Sequence, residues 1–221
     1  MRFLNQIKSV ALVGLIVLGC VARAHPVQAQ ETKVLTVAGG CFWCVESDFE
    51  SVRGVTEAVS GYTGGSTKNP TYKSVTGGDT GHYEAVQIRF DPSKVSRRQL
   101  LQMFLRSVDP TDAGGQFCDR GNSYRTAIFV SNKAERALAQ EVIAQAQAEL
   151  GQKIVTPVLD GSRFYRAEDY HQDYYKGDSL VFTRFGPKRQ AAAYKRYRQA
   201  CGRDQRVRQL WGDAAPFAGG Y

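Results

Sequence analysis

With 221 residues carrying 29 lysines and arginines against 21 acids, a formal charge of +8, the chain has room for a leader and one ordinary domain but not for a second full one. The basic excess is concentrated between 188 and 208, where Lys188, Arg189, Lys195, Arg196, Arg198, Arg203, Arg206 and Arg208 meet only Asp204. No nucleic-acid motif accompanies them. The segment is therefore expected to be a solvated helix face rather than a phosphate-tracking surface, and no nucleic-acid partner is expected.

At the N-terminus, Arg2 and Lys8 precede an apolar run from Val10 to Gly19 and then small residues ending at Ala24 or Ala29. That is the pattern of a secretory signal, too short for a comfortable membrane span. Residues 1–29 are expected to be cleaved after Ala29, with Ala24 as second choice. One domain then spans 30–221, with a basic C-terminal extension over about 187–221 and a net charge of about +5. Leu18-Gly19-Cys20 also resembles a bacterial lipoprotein processing site, and membrane attachment is expected only if Cys20 is lipidated. The expected location is secreted or periplasmic, where disulfides persist. Cys41, Cys44, Cys118 and Cys201 allow three complete pairings, among which the sequence does not choose.

Val34 to Ala38 is a short apolar run suited to a buried strand, broken by Gly39-Gly40. From Cys41 the spacing of Phe42, Val45, Phe49 and Val52 is helical, with Glu46, Asp48 and Glu50 between. Cys41 is thus placed at a helix N-terminus, where unpaired N–H groups and the helix dipole favour a thiolate. Glycine-rich connections and strands occupy 54 to 90, ending in the alternating Tyr83 to Phe90. Glu84 then shares a face with Val86 and Ile88, an acid beside apolar neighbours. Ser96 to Gln99 is a capping box before a helix to about Val108, ended by Asp109-Pro110.

The glycine-rich loop 113–121 leads into the strand Thr126 to Val130. Asn132 with Glu135 opens a long helix whose apolar stripe is Ala134, Leu138, Val142, Ala146 and Leu150, with Gly151 as its stop. Ile154 to Leu159 reads as another strand. Phe164 to Tyr175 is aromatic and acidic, and Gln190 to Gly202 is a final helix carrying Cys201. The class is α+β, one sheet with helices packed on it.

Four local patterns recur together: Gly39-Gly40-Cys41-Phe42-Trp43, Asn69-Pro70-Thr71-Tyr72, the stretch from Gly78 to Glu84 (GDTGHYE), and that from Asp119 to Arg125 (DRGNSYR). With Ala167 to Gln172 (AEDYHQ) they cover residues 33 to 175 in matching order, and this set resembles the A-type peptide methionine sulfoxide reductases. The resemblance implies a two-layer sandwich with a ferredoxin-like core and mixed sheet, here with an extra C-terminal helical segment. It implies thiol-dependent reduction of methionine S-sulfoxide in proteins, and less well of the free amino acid. No metal or organic cofactor is expected, the reductant being an external thioredoxin-like dithiol. A monomer is expected.

The residue types fit that chemistry. A sulfoxide sulfur is a poor electrophile until its oxygen is protonated, so the site needs a nucleophile and an acid at opposite ends of one S–O bond. Cys41 can be the nucleophile and Glu84, its pKa raised by partial burial, the acid. Phe42 and Trp43 offer aromatic contact to a soft S-methyl group, although such a pair alone is more often core. As the resemblance implies, Tyr72 and Tyr124 hold the sulfoxide oxygen beside Glu84, and Asp119 assists thiol exchange; packing tyrosines and a loop cap are the plainer alternatives. His82 is read as supporting its turn.

Reduction leaves Cys41 as a sulfenic acid, which a second thiol condenses with to form a disulfide. Here the sequence departs from the family pattern, with cysteine at 44 where glycine is usual, Cys118 before Asp119, and no obvious glycine-rich recycling segment. Cys201, Cys118 and Cys44 compete as the resolving thiol, and Cys201 is favoured because a C-terminal tail usually delivers it in this family. The main rival reading is a thiol-disulfide oxidoreductase using the Cys41/Cys44 pair. A metal module of Cys41, Cys44 and Cys118 with His82 or His171 lacks the second half of a zinc ribbon. A basic-tail binding protein is the third.

Overall fold

Alternating side chains along the strands decide which way the central sheet faces. In the computed structural model, which describes residues 32–184 and 186–219, six strands lie in one mixed sheet. They are β1 (Lys33–Gly39), β2 (Val55–Thr63), β3 (Tyr83–Phe90), β6 (Thr126–Val130), β7 (Val158–Asp160) and β8 (Tyr165–Arg166), in the order β7-β6-β1-β3-β2-β8. Only β6 and β7 are parallel. Two further pairs stand apart from this sheet, β4 (Gly115–Gln116) with β5 (Asp119–Arg120), and β9 (Leu180–Thr183) with β10 (Gly186–Arg189). The expected signal segment 1–29 and its Cys20 lie outside the described residues.

The helices are α1 (Phe42–Glu50), α2 (Tyr72–Thr76), α3 (Arg97–Ser107), α4 (Lys133–Leu150), α5 (Gln190–Ala200) and α6 (Arg203–Trp211). Leu35 and Val37 of β1, Val86 and Ile88 of β3 and Ile128 and Val130 of β6 form one core with Phe42, Val45 and Phe49 of α1, Leu100 and Phe104 of α3, and Val142 and Ala146 of α4. The opposite face carries a smaller cluster of Ala38, Tyr83, Ala85, Ala127 and Phe129. Strand β3 is buried on both faces from Tyr83 to Val86, and beyond that its second face opens at the half-buried Gln87 and the exposed Arg89, as the alternation predicts. Glu84 is on the helix-bearing face, as the alternation requires.

The α3 capping box forms as expected, Ser96 accepting from the Gln99 N–H and Gln99 from that of Ser96. Three expectations shift. The α4 stripe centres on Ala139, Val142 and Ala146 while Ala134 is exposed, because the helix meets the sheet one turn later. The strand expected from Ile154 begins only at Val158, the segment before it containing Pro157, which has no N–H to pair. A helix not foreseen, α6, follows α5 after Gly202 in the left-handed region at φ 69°.

The C-terminal helices also correct the expectation of a solvated basic face. Arg198 and Arg203 are each 2% exposed. Arg198 donates to Asp48 Oδ1 of α1 at 2.7 Å, and Arg203 donates to the Gly39 carbonyl at 3.2 Å and lies 4.8 Å from the centre of the Phe117 ring. Glu46 and Asp48, which the helical spacing places between apolar positions, are buried because polar partners meet them. Glu46 accepts from the Ser60 hydroxyl and from the Asp173 N–H.

Candidate active site

Strand β1 ends against the start of α1, and two glycines make the junction. Gly40 has φ +79°, and a Cβ there would lie 2.5 Å from Gln116 Cβ, so both the turn and the close approach of loop 113–121 need glycine. Gln116 is fully buried and fixes that loop, exchanging hydrogen bonds with the Asp109 N–H and carbonyl. The junction leaves Cys41 as the N-cap of α1, 6% exposed, with Cys44 one turn along at 2%.

Glu84 closes on the same point from β3. Its Oε2 accepts from the Phe42 N–H at 3.1 Å, so the carboxyl is fastened to the residue after Cys41. Its Oε1 has no hydrogen-bond partner among the described residues. Burial drives the Glu84 pKa up to about 8, against the opposing pull of the Phe42 N–H and the neighbouring Tyr124 hydroxyl. Tyr72 and Tyr124 are neighbours of this carboxyl and of one another, and burial raises the pKa of both, so their hydroxyls stay protonated donors.

Tyr72 is set by Glu168, which sequence reasoning left without a role. Glu168 accepts from the Tyr72 N–H and from the Tyr62 hydroxyl, each at 2.8 Å. His171 was also given no catalytic part, and it fills the space between the aromatics. Its ring centre is 5.0 Å from Phe42, 5.6 Å from Trp43 and 4.5 Å from Tyr72, and its Nδ1 accepts from the Trp43 indole N–H at 3.2 Å. Burial lowers its pKa to about 4, so it remains neutral. Phe42 is 1% exposed within the main core, whereas Trp43 is half-buried and stacks on Tyr174 at 3.8 Å. His82 supports its turn, its Nδ1 accepting from the Gly65 N–H and its Nε2 lying 2.8 Å from the Thr67 carbonyl.

The thiols form two pairs. Cys41 and Cys44 are free, and a hydrogen bond joins their side chains. Contrary to the expectation of a helix-stabilised thiolate, burial and then Cys44 push the Cys41 thiol up. The negative charge of the pair is favoured at Cys44, drawn down to about 7 by the hydrogen bond from Cys41 and by Arg203 and Arg198. Cys118 and Cys201 are joined in a disulfide, Cα to Cα 4.9 Å, which ties the 113–121 loop to the end of α5. Cys201 is therefore neither on a loose tail nor bonded to Cys41.

Asp119 stands between the two pairs. It accepts from the Tyr197 hydroxyl, lies 3.9 Å from Cys118 Sγ, and acts electrostatically on Cys41. Burial raises its pKa. Tyr197 precedes Cys201 by four residues on α5, a spacing that puts both on one helix face and could have flagged it.

A dithiol able to lose one proton near neutrality, set against an acid able to keep one, is the equipment of a thiol-based oxidoreductase. Residues 33–214 match the sequence profile described as Peptide methionine sulfoxide reductase. The peptide methionine sulfoxide reductase MsrA 2 of Rhizobium meliloti is 48% identical over 194 residues, 88% of this chain and 90% of its own. The MsrA of Bacillus subtilis is 45% identical over 187 residues, 83% of this chain and 98% of its own. Among solved structures, reduced Mxr1 from Saccharomyces cerevisiae superposes with a TM-score of 0.64 at 31% identity, over 67% of this chain and 87% of that one. Methionine sulfoxide reductase A of Corynebacterium diphtheriae gives 0.61 at 29%, over 72% and 80%. The chain belongs to the peptide methionine sulfoxide reductase family, A type.

Proposed function

We propose that the protein reduces methionine S-sulfoxide in polypeptides, and free methionine sulfoxide less well, to methionine by thiol chemistry at Cys41. The observation that carries the residue assignment is the buried Glu84 carboxyl, protonated up to about pH 8, fastened beside Cys41 with one oxygen unpartnered among the described residues. The sulfoxide oxygen fits against that carboxyl and the Tyr72 and Tyr124 hydroxyls, and the S-methyl group lies along Trp43. Cys44, as thiolate, takes the Cys41 proton across their hydrogen bond, and the Cys41 sulfur attacks the sulfoxide sulfur while Glu84 protonates the oxygen. The oxygen then passes to the Cys41 sulfur: a Cys41 S–O bond forms as the original S–O bond and the new sulfur–sulfur bond break, methionine leaves, and Cys41 is left as a sulfenic acid. Cys44, now a thiol in contact, condenses with it, releasing water and forming the Cys41–Cys44 disulfide. A thioredoxin-like dithiol restores the thiols by exchange, with the Cys118–Cys201 pair, exposed at Cys118, and Asp119 as the outer station. No bound cofactor takes part in this scheme.

The finer architecture, a two-layer sandwich with a ferredoxin-like core and an extra C-terminal helical segment, belongs to the same reading; α1, α3 and α4 sharing one core on one face of the sheet support it. So does a single domain over 30–221 behind a cleavable leader over 1–29, giving a secreted or periplasmic monomer attached to membrane only if Cys20 is lipidated. The basic start and apolar run of the leader support that location.

Product analysis on separated sulfoxide epimers with dithiothreitol tests the scheme. Wild type should consume the S epimer alone, and Cys41→Ser none. Continued turnover by Cys41→Ser would exclude the mechanism, while insulin reduction without sulfoxide turnover would favour the thiol-disulfide oxidoreductase.

A further inference from the structure

Among the described residues, the exposed large hydrophobic side chains are Tyr170, Leu180 and Phe182, at 56%, 62% and 87% exposure. A single exposed apolar side chain needs no explanation, but three on elements that flank the Cys41 surroundings do. In the β9–β10 hairpin Leu180 pairs with Arg189 and Phe182 with Pro187, so one face presents Leu180, Phe182 and Pro187, with Arg189 at its foot. Val181, between them, points the other way and packs on the cluster of Cys41, Cys44, Tyr174 and Tyr194. The hairpin therefore rests on the nucleophile's own surroundings. On the other flank the Tyr170 ring lies 4.1 Å from His171, which packs against Trp43 and Tyr72. Gln190, at the foot of the hairpin, donates to the Tyr170 carbonyl at 3.1 Å and joins the two flanks.

The geometry points to this ridge as the seat of the polypeptide that carries the oxidised methionine: an extended, unfolded stretch with apolar side chains on either side of it. The inference rests on the reductase reading above. A methionine side chain reaches Cys41 only if its backbone lies within about one side-chain length of that sulfur, which brings the residues before and after it against the elements packed on the Cys41 cluster, the hairpin among them. Among the described residues β9 pairs with β10 alone, leaving an edge that an extended segment can join. A protein reductant has a different destination. The Cys118–Cys201 disulfide opens into its own hollow of about 390 Å³, lined by Asp109, Asp112, Phe117 and Arg206.

The test compares peroxide-oxidised casein, an unfolded protein, with free methionine sulfoxide, using dithiothreitol as the reductant. For Leu180→Ser combined with Phe182→Ser, kcat/KM on casein should fall about tenfold through KM, as loss of two apolar contacts implies, while that on the free amino acid stays at the wild-type value. Phe182→Leu, still apolar, should keep most of the casein turnover. An unchanged casein KM overturns the inference, and so does an equal loss on both substrates. A loss seen only when a thioredoxin-like protein replaces dithiothreitol would overturn it too, assigning the ridge to the reductant. If wild type reduces neither substrate with dithiothreitol, the reductase reading itself falls, and this inference with it.

Discussion

A carboxylate at position 84 would sit 1% exposed, and that burial is why the proton is held to about pH 8. The dithiol loses its proton near 7. Activity needs the thiolate and the acid together, so kcat/KM for free methionine sulfoxide should rise through about pH 7 and fall through about pH 8. Glu84→Gln should lose ~10²- to 10⁴-fold in rate and the alkaline limb with it; a pH–rate series on both proteins checks this, and an unchanged alkaline limb would remove Glu84 from the acid's role. Cys41 and Glu84 were legible as candidates because short motifs surround them. The arginines that draw down the Cys44 thiol beside them were not, since Arg198 and Arg203 lie more than 150 residues along the chain from Cys44 and only folding brings them beneath α1.

Helix α1 carries two buried acids on one short element, and they answer differently to change. Burial raises Glu46 from 4.5 to about 7, so the native protein holds a proton that the unfolded chain releases between those values. Stability therefore declines as pH climbs through that window, and Glu46→Gln should flatten the slope in denaturant titrations. Asp48 meets Arg198 at 2.7 Å and Arg203 at 4.0 Å. Asp48→Ala would take their shared carboxylate from two buried guanidinium groups, with Arg198 still held by Asp204 at 2.8 Å, and should cost ~3 kcal/mol, readable as a lowered urea midpoint. Elements with local signals were readable in advance, such as α3 with its capping box. Helix α6 was missed although Val207, Leu210 and Trp211 recur at helical spacing, because the arginines between them read as solvated. The α4 stripe slipped because alanine does not mark the inner face: Ala139 and Ala146 are buried, but Ala134, Ala137, Ala144 and Ala148 are exposed.

At the scale of the whole molecule the Cys118–Cys201 link closes a span of 83 residues and fastens α5 beside the catalytic dithiol. Removing it with Cys118→Ser should lower stability by about 4.5 kcal/mol, the loop-closure value for such a span. Turnover with dithiothreitol should persist while turnover with a thioredoxin-like donor falls; equal rates with both donors would remove the outer pair from the route. The class of the fold followed from interleaved strands and helices, but the layout of the C-terminal third did not, since charged residues conceal its burial.

The depth of Cys41 has a consequence for the cell. With that residue only 6% exposed and the Trp43 indole packed against its cluster, a substrate must reach in with a slim side chain to meet the sulfur. An oxidised methionine still wedged in the interior of a sound protein cannot make that approach, whereas one thrown outward by its own damage can, so the shape of the cleft sorts casualties from the merely scorched before any bond is made.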